Sequence, residues 1–164
     1  MPVVSNTSPI LNLAIIGRLN LLYEQFEDVA ISEGVREELR SDEGLPGCEA
    51  IRKALQEGWI HTEVVHDEAL IKVLCQNIDC GEAESIALAL QIDASILLLD
   101  ERDGRAIAKS MSLQVIGILG VLMHAKFNRK IESLEVEMLA LKKKAGFYIS
   151  QELFETLLKE AGEL

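Results

Sequence analysis

The stretch Ser95-Ile96-Leu97-Leu98-Leu99-Asp100 decides the fold. Four consecutive apolar residues leave the segment no polar face. A strand with one wet face alternates; one covered on both faces, as at the centre of a parallel sheet, is apolar throughout. The run is bounded by helical patterns: residues 82–91, rich in Ala, Leu, Ile and Glu, precede it, and residues 102–111 follow. A short strand over 114–116 comes next, then more helix.

The same alternation extends back to the start. A strand over 3–5 leads through Asn6-Thr7-Ser8-Pro9 into a helix over 10–16, with Ser8 as the expected N-cap and Pro9 at the first helical position. Gly17 stops it, and a second helix covers 19–26. A buried strand over 28–32 ends at Ser32, which caps a helix over 33–40 with Val35 and Leu39 on one face. A loop over 41–47 with Gly44, Pro46 and Gly47 follows, then a helix over 49–57, a strand over 59–65 and a helix over 67–75 broken at Asp79-Cys80-Gly81. Helices recurring between strands imply βαβ crossovers. The expected fold is α/β: a doubly wound, mostly parallel sheet with helices on both faces. The expected organisation is a single domain over 1–164 with a helical C-terminal extension from about residue 132.

Composition narrows the function. Hydrophobic residues make up 49% of 164, enough for a core, and aromatics only 4%, so aliphatic side chains fill it. The formal net charge is −11, the opposite of a protein that holds phosphate backbones by charge alone, so any nucleic-acid contact is local, metal-mediated or partner-assisted. No basic region precedes an apolar run at the N-terminus, and the apolar runs at 10–16 and 116–123 fall short of the roughly 18 residues of a spanning helix. A cytoplasmic location is the expectation, and three cysteines, an odd number, fit free thiols there.

Ligands of open α/β sheets bind outside the carboxyl ends of the strands. Two of these ends are polar: Asn6-Thr7-Ser8 and Asp100-Glu101-Arg102-Asp103. Glu37-Glu38 and Gly81-Glu82 add acids on helices. Carboxylates gathered in one place repel and call for a cation. Magnesium takes one or two carboxylates plus waters and phosphate oxygens, and can activate a water for attack on phosphorus.

These residues carry a resemblance. The opening Pro2-Val-Val-Ser-Asn-Thr-Ser-Pro-Ile-Leu-Asn-Leu-Ala, the helix Val35-Arg-Glu-Glu-Leu39, the run Gly81-Glu-Ala-Glu-Ser-Ile-Ala-Leu-Ala and the strand end Ile96-Leu-Leu-Leu-Asp-Glu-Arg-Asp together resemble the PIN (PilT N-terminus) domain family of nucleases. The closing Val115-Ile-Gly-Ile-Leu-Gly-Val-Leu and Gly146-Phe-Tyr-Ile-Ser resemble a prokaryotic subgroup of it. The resemblance implies a metal-dependent endoribonuclease, a hydrolase using Mg²⁺ or Mn²⁺ to cleave single-stranded RNA. Asn6, Glu38, Glu82 and Asp100 would be its catalytic positions, with Glu38, Glu82, Asp100 and Asp103 as metal ligands. Thr7 and Ser8 would position water or phosphate. Many relatives are toxins held by an antitoxin, so the resemblance implies an antitoxin-like partner; a homodimer is the further expectation, from the apolar stretch 116–127, and no membrane is expected. The family has Asp where this chain has Asn6, which keeps an oxygen ligand and loses a charge, and Glu82 is one methylene longer than the usual Asp. An alternative is therefore a catalytically impaired relative that binds RNA or a protein partner.

Each motif also has a plainer reading. Asn6-Thr7-Ser8 suits a helix cap, Glu37-Glu38 a solvated helix face, Glu82 the positive end of a helix dipole, and Asp100 the cap of the next helix. Cys75 and Cys80 with His66 lack the paired spacing of a zinc site. Lys142-Lys143-Lys144, with Lys126, Arg129 and Lys130, suits a solvated helix end or RNA phosphates. The apolar stretch 116–127 suits a core helix or a dimer contact. A phosphoacceptor receiver domain shares the layered fold, but an acidic pair after the first strand is missing.

Overall fold

A computed structural model describes residues 2–41 and 44–164. Five strands form one all-parallel sheet: β1 (Val3–Ser5), β2 (Val29–Ser32), β3 (Ile60–Glu63), β4 (Ile96–Leu98) and β5 (Val115–Ile116), in the order β3-β2-β1-β4-β5. The chain winds outward from β1 in one direction, then returns to the other side of β1 through β4. That reversal places a crevice between the carboxyl ends of β1 and β4.

The two-residue period of strands divides the core into two layers. Val3, Val29, Ile31, Ile60 and Leu98 face one layer; Val4, Ala30, Leu97 and Leu99 face the other. The first layer is covered by α1 (Thr7–Ile15), α2 (Asn20–Phe26), α3 (Glu33–Ser41), α4 (Cys48–Glu57), α8 (Ile118–Phe127), α9 (Leu134–Lys144) and α10 (Gln151–Glu160). The second is covered by α5 (Glu68–Leu74), α6 (Cys80–Gln91) and α7 (Arg102–Ser110). Helix α6 is apolar nearly all round and buries eight of its residues, Gly81 and Glu82 among them, as a helix at the centre of a layer must.

The apolar stretch 116–127 forms α8, which buries Ile118, Val121, Leu122 and Ala125 and so serves the core. Helices α9 and α10 contribute Leu134, Met138, Leu141, Phe154 and Leu158 to the same layer as α1. Arg18, just beyond α1, grips buried Glu137 on α9 through two hydrogen bonds of 2.9 and 3.0 Å. Near the C-terminus the Glu163 carboxylate accepts the backbone N–H groups of Leu134 and Glu135 and the Ser133 hydroxyl, and pairs with Lys126 at 3.2 Å.

Several sequence expectations shift. Helix α1 starts at Thr7, so Asn6 takes the N-cap position expected of Ser8, and Pro9 sits inside the first turn. The Asn6 N–H donates to the Leu98 carbonyl at 2.9 Å, extending the β1–β4 ladder by one rung, and the helix begins directly after it. The break expected at Asp79-Cys80-Gly81 is a helix start instead. Asp79 Oδ1 accepts the N–H groups of Gly81 (2.8 Å) and Glu82 (3.2 Å), which is how an aspartate opens a helix. The loop over 41–47 is shortened by α3 running to Ser41, and its positions 42 and 43 lie outside the described residues. The free-thiol expectation holds for Cys48 only: Cys75 and Cys80 form a disulfide, because the turn joining α5 to α6 brings their Cα atoms to 4.9 Å.

The sheet edges are short or charged. Strand β5 has two residues, and β3 carries His61 between Asp28 (2.9 Å) and Glu63 (3.4 Å). Among the described residues, no helix is long and apolar enough to cross a membrane.

Candidate metal centre

The crevice at the β1/β4 reversal is an open cleft of about 680 Å³. Its lining brings together five of the expected positions, Asn6, Thr7, Ser8, Glu38 and Glu82, and a sixth, Asp103. They arrive from separate elements: the end of β1 and start of α1, the middle of α3, the first turn of α6, and the first turn of α7. Residue 38 reaches the cleft because Val35 and Leu39 face the core and turn the intervening helix surface towards α6. The Gly34 N–H also donates to Glu84 of α6 at 3.1 Å, holding α3 against that helix.

Hydroxyl protons in the cleft are already committed. Thr7 Oγ1 donates to Glu38 Oε2 at 2.7 Å. Ser8 Oγ donates to Asp100 Oδ2 at 3.1 Å and accepts from Asn12 Nδ2 at 3.0 Å. Ser85 Oγ donates to the Gly81 carbonyl at 2.9 Å and more distantly to Asn6 Oδ1 at 3.4 Å. Thr7 and Ser8 therefore offer lone pairs to a ligand, and their protons fix carboxylates.

Two glycines make room for acids. A Cβ on Gly81 would collide with Glu38 Oε1, and one on Gly104 would stand 3.4 Å from Glu82 Oε2 and 3.1 Å from Leu99. Glu38 thus lies against the start of α6, and Glu82 against α7.

Glu82 is the most perturbed acid of the cleft. It is 5% exposed, and its pKa is pushed up to about 7. Burial is the main cause; the charges of Asp79, Glu101 and Asp103 add to it, and the Asp79 backbone N–H opposes it. The first turn of a helix favours a carboxylate, but Asp79 already takes the N–H groups of residues 81 and 82.

Asp100 departs from its expected place. One carboxylate oxygen accepts the Ile118 N–H at 2.7 Å and the other the Ser8 hydroxyl. It lines a second groove, with Arg105, rather than the cleft. Burial raises its pKa, against the Ile118 N–H, Ser8 and Arg105. The run of acids after β4 still serves the cleft, through Glu101 and Asp103. Sequence reasoning missed Glu101, Asp79 and Asn77 as lining residues. The first belongs to the acidic run after β4; Asp79 stands in a turn-like Asp-Cys-Gly run that the sequence presents as a helix break.

Among the described residues, no three His, Cys, Asp or Glu side chains form a ready cage for a metal ion. The donors are nonetheless all oxygens, as hard divalent cations require, and magnesium binds through one or two carboxylates and waters rather than through an all-protein cage. A carboxylate whose pKa is raised by burial first and by acidic neighbours second is the group that a cation would return to the charged form. The residues present fit a divalent ion.

No curated protein and no solved structure matches the chain. The profile of the PIN domain family DUF3368 matches residues 2–163. A parallel sheet with acids gathered where its winding reverses, and a match across nearly the whole length, give one conclusion: the chain belongs to the PIN domain family.

Proposed function

We propose that the cleft is the divalent-cation site of an endoribonuclease acting on single-stranded RNA. The observation that carries this reading is buried Glu82 among Asp79, Glu101 and Asp103, with a pKa near 7. Folding does not gather uncompensated carboxylates without cost, and a cation offsets it.

Glu82 and Glu38 would be the carboxylates that hold the ion, and Asn6, which lines the same cleft, would offer a neutral oxygen. When bound, Mg²⁺ or Mn²⁺ supplies stabilisation of charge on phosphate oxygens and lowers the pKa of a coordinated water. Thr7 keeps Glu38 oriented by donating to it. Asp79 keeps the start of α6, and with it Glu82, in place. Asp100 holds Ser8 and the start of α8, and so supports the cleft from behind. Glu101 and Asp103, on the cleft wall, are the acceptors for a proton leaving an attacking water.

The test is cleavage of a labelled single-stranded RNA in Mg²⁺ and in Mn²⁺, with and without chelator, for the native chain and Glu82→Gln. Cleavage that needs the ion and Glu82 supports the proposal. A folded native protein that leaves the RNA intact in both metals sinks it.

A second reading rests on Asn6. With no negative charge at that position, the chain serves as a binder of RNA or of an antitoxin-like protein and not as a nuclease. It is favoured if Asn6→Asp cleaves RNA and the native chain does not.

A further inference from the structure

A second groove, of about 550 Å³, lies beside the acidic cleft. The two share a wall: Ser8 lines the cleft, Asp100 lines the groove, and the hydroxyl of one donates to the carboxylate of the other. The groove's bed is apolar, with Ile116, Leu119, Met123 and Leu157. Asp100 and Arg105 supply its polar end. Tyr148 stands on the rim at 84% exposure, the most exposed large hydrophobic residue among those described.

We propose that this groove takes one base of a single-stranded RNA, stacked on Tyr148 over the apolar bed, with its polar edge towards Arg105. The inference rests on the nuclease reading for the identity of the ligand, and it adds where a nucleotide next to the reacting phosphate lodges. A ring left almost wholly in water offers a stacking face that every base can use, and such stacking is tolerant of sequence. An apolar bed offers a phosphate nothing. A purely aliphatic occupant would cover Arg105 and Asp100 without answering their hydrogen-bonding groups. A base has both a flat apolar face and a polar edge. Arg105 gives one nitrogen to the Leu99 carbonyl at 3.1 Å and has further N–H donors. The neighbouring Asp100 carboxylate accepts the Ile118 N–H and the Ser8 hydroxyl, and its charge also bears on Arg105. In a chain of net charge −11, a site that gains by stacking does not depend on a basic surface.

The experiment measures fluorescence anisotropy of the whole chain with a labelled ten-nucleotide single-stranded RNA, and with a ribose-phosphate chain of the same length lacking bases. Both are measured in chelator, so that nothing is cleaved. Tyr148→Ala is expected to weaken RNA binding about tenfold, within the range of base–aromatic stacking, and to leave the baseless chain unaffected; Tyr148→Trp restores binding. Tyr148 is chosen because its exposure makes misfolding no explanation. Equal affinity of native protein and Tyr148→Ala, or equal affinity for RNA and the baseless chain, overturns the proposal. Cleavage in Mn²⁺ separates the two readings. A cleaving protein indifferent to Tyr148 keeps the nuclease and loses the groove; base binding that depends on Tyr148 in a protein that never cleaves does the reverse.

Discussion

Two glutamates sit at two helix starts and are treated in opposite ways. Glu163 meets the N-terminus of α9, where two backbone N–H groups, a serine hydroxyl and Lys126 answer a single carboxylate. Burial works to raise its pKa, but Leu134, Glu135, Lys126 and Ser133 outweigh it and the result is a lowering. Glu82 lies in the first turn of α6, where Asp79 has already taken the amide groups of residues 81 and 82, and the charges of Asp79, Glu101 and Asp103 all bear on it. One region over-supplies donors to an anion; the other over-supplies anions. The first is a closed structural latch. The second is left unbalanced by the chain's own residues.

The contrast is broken most directly by removing each charge. Glu82→Gln is expected to lower RNA cleavage by at least about 100-fold, and to abolish the rise in melting temperature expected of the native chain in Mn²⁺. Unchanged cleavage would remove Glu82 from the site. Glu163→Ala should leave cleavage alone and cost about 2 kcal/mol of stability, or about 4–8 °C in melting temperature, because it strips a helix cap and leaves Lys126 without its carboxylate. A variant equally stable to heat and urea would show the latch to be idle.

Adding a charge sharpens the comparison. Asn6→Asp places one more carboxylate in the crowded cleft. Mn²⁺ affinity by calorimetry is expected to tighten about tenfold, since a unit charge at close range contributes on the order of a few kcal/mol before desolvation is subtracted. Affinity that stays level would mean that residue 6 does not face the ion. The smallest effect is the pH dependence. Glu82 has a folded pKa raised from 4.5 to about 7, so its contribution to stability is fully present below about 4.5 and is lost as the pH rises through 7. Glu163 has the reverse sign: its contribution is present above its unfolded pKa and lost as the pH falls through a lowered one. At pH 8 without metal, Glu82→Gln should therefore be the more stable protein, by about 1 kcal/mol or about 2–4 °C. A melting curve showing loss of stability there would contradict the raised pKa.

Much of this was legible in the chain. The apolar run before Asp100 announced a central parallel strand, and the helical periods between strands announced the layered sheet. Thr7, Glu38 and Glu82 could be placed at one sheet end because a parallel sheet brings its strand ends, and the helices that follow them, to one edge. What was not legible was direction. Asp100 and Glu101 are neighbours, and sequence does not say which faces the cleft; the Ile118 N–H and Ser8 hydroxyl decide it, across 18 and 92 residues. Asp79 looked like a break because Asp-Cys-Gly is turn-like, yet an aspartate that ends one helix can cap the next. The Cys75–Cys80 pair was hidden for a related reason: the turn between two helices sets the distance between its ends, and five positions of separation do not.

The rims of the sheet carry a last consequence. With β5 only two residues long and β3 bearing charged side chains, neither margin presents an extended run of unpaired backbone on which a foreign strand can template itself. Short and charged margins of this kind disfavour edge-to-edge growth of the sheet.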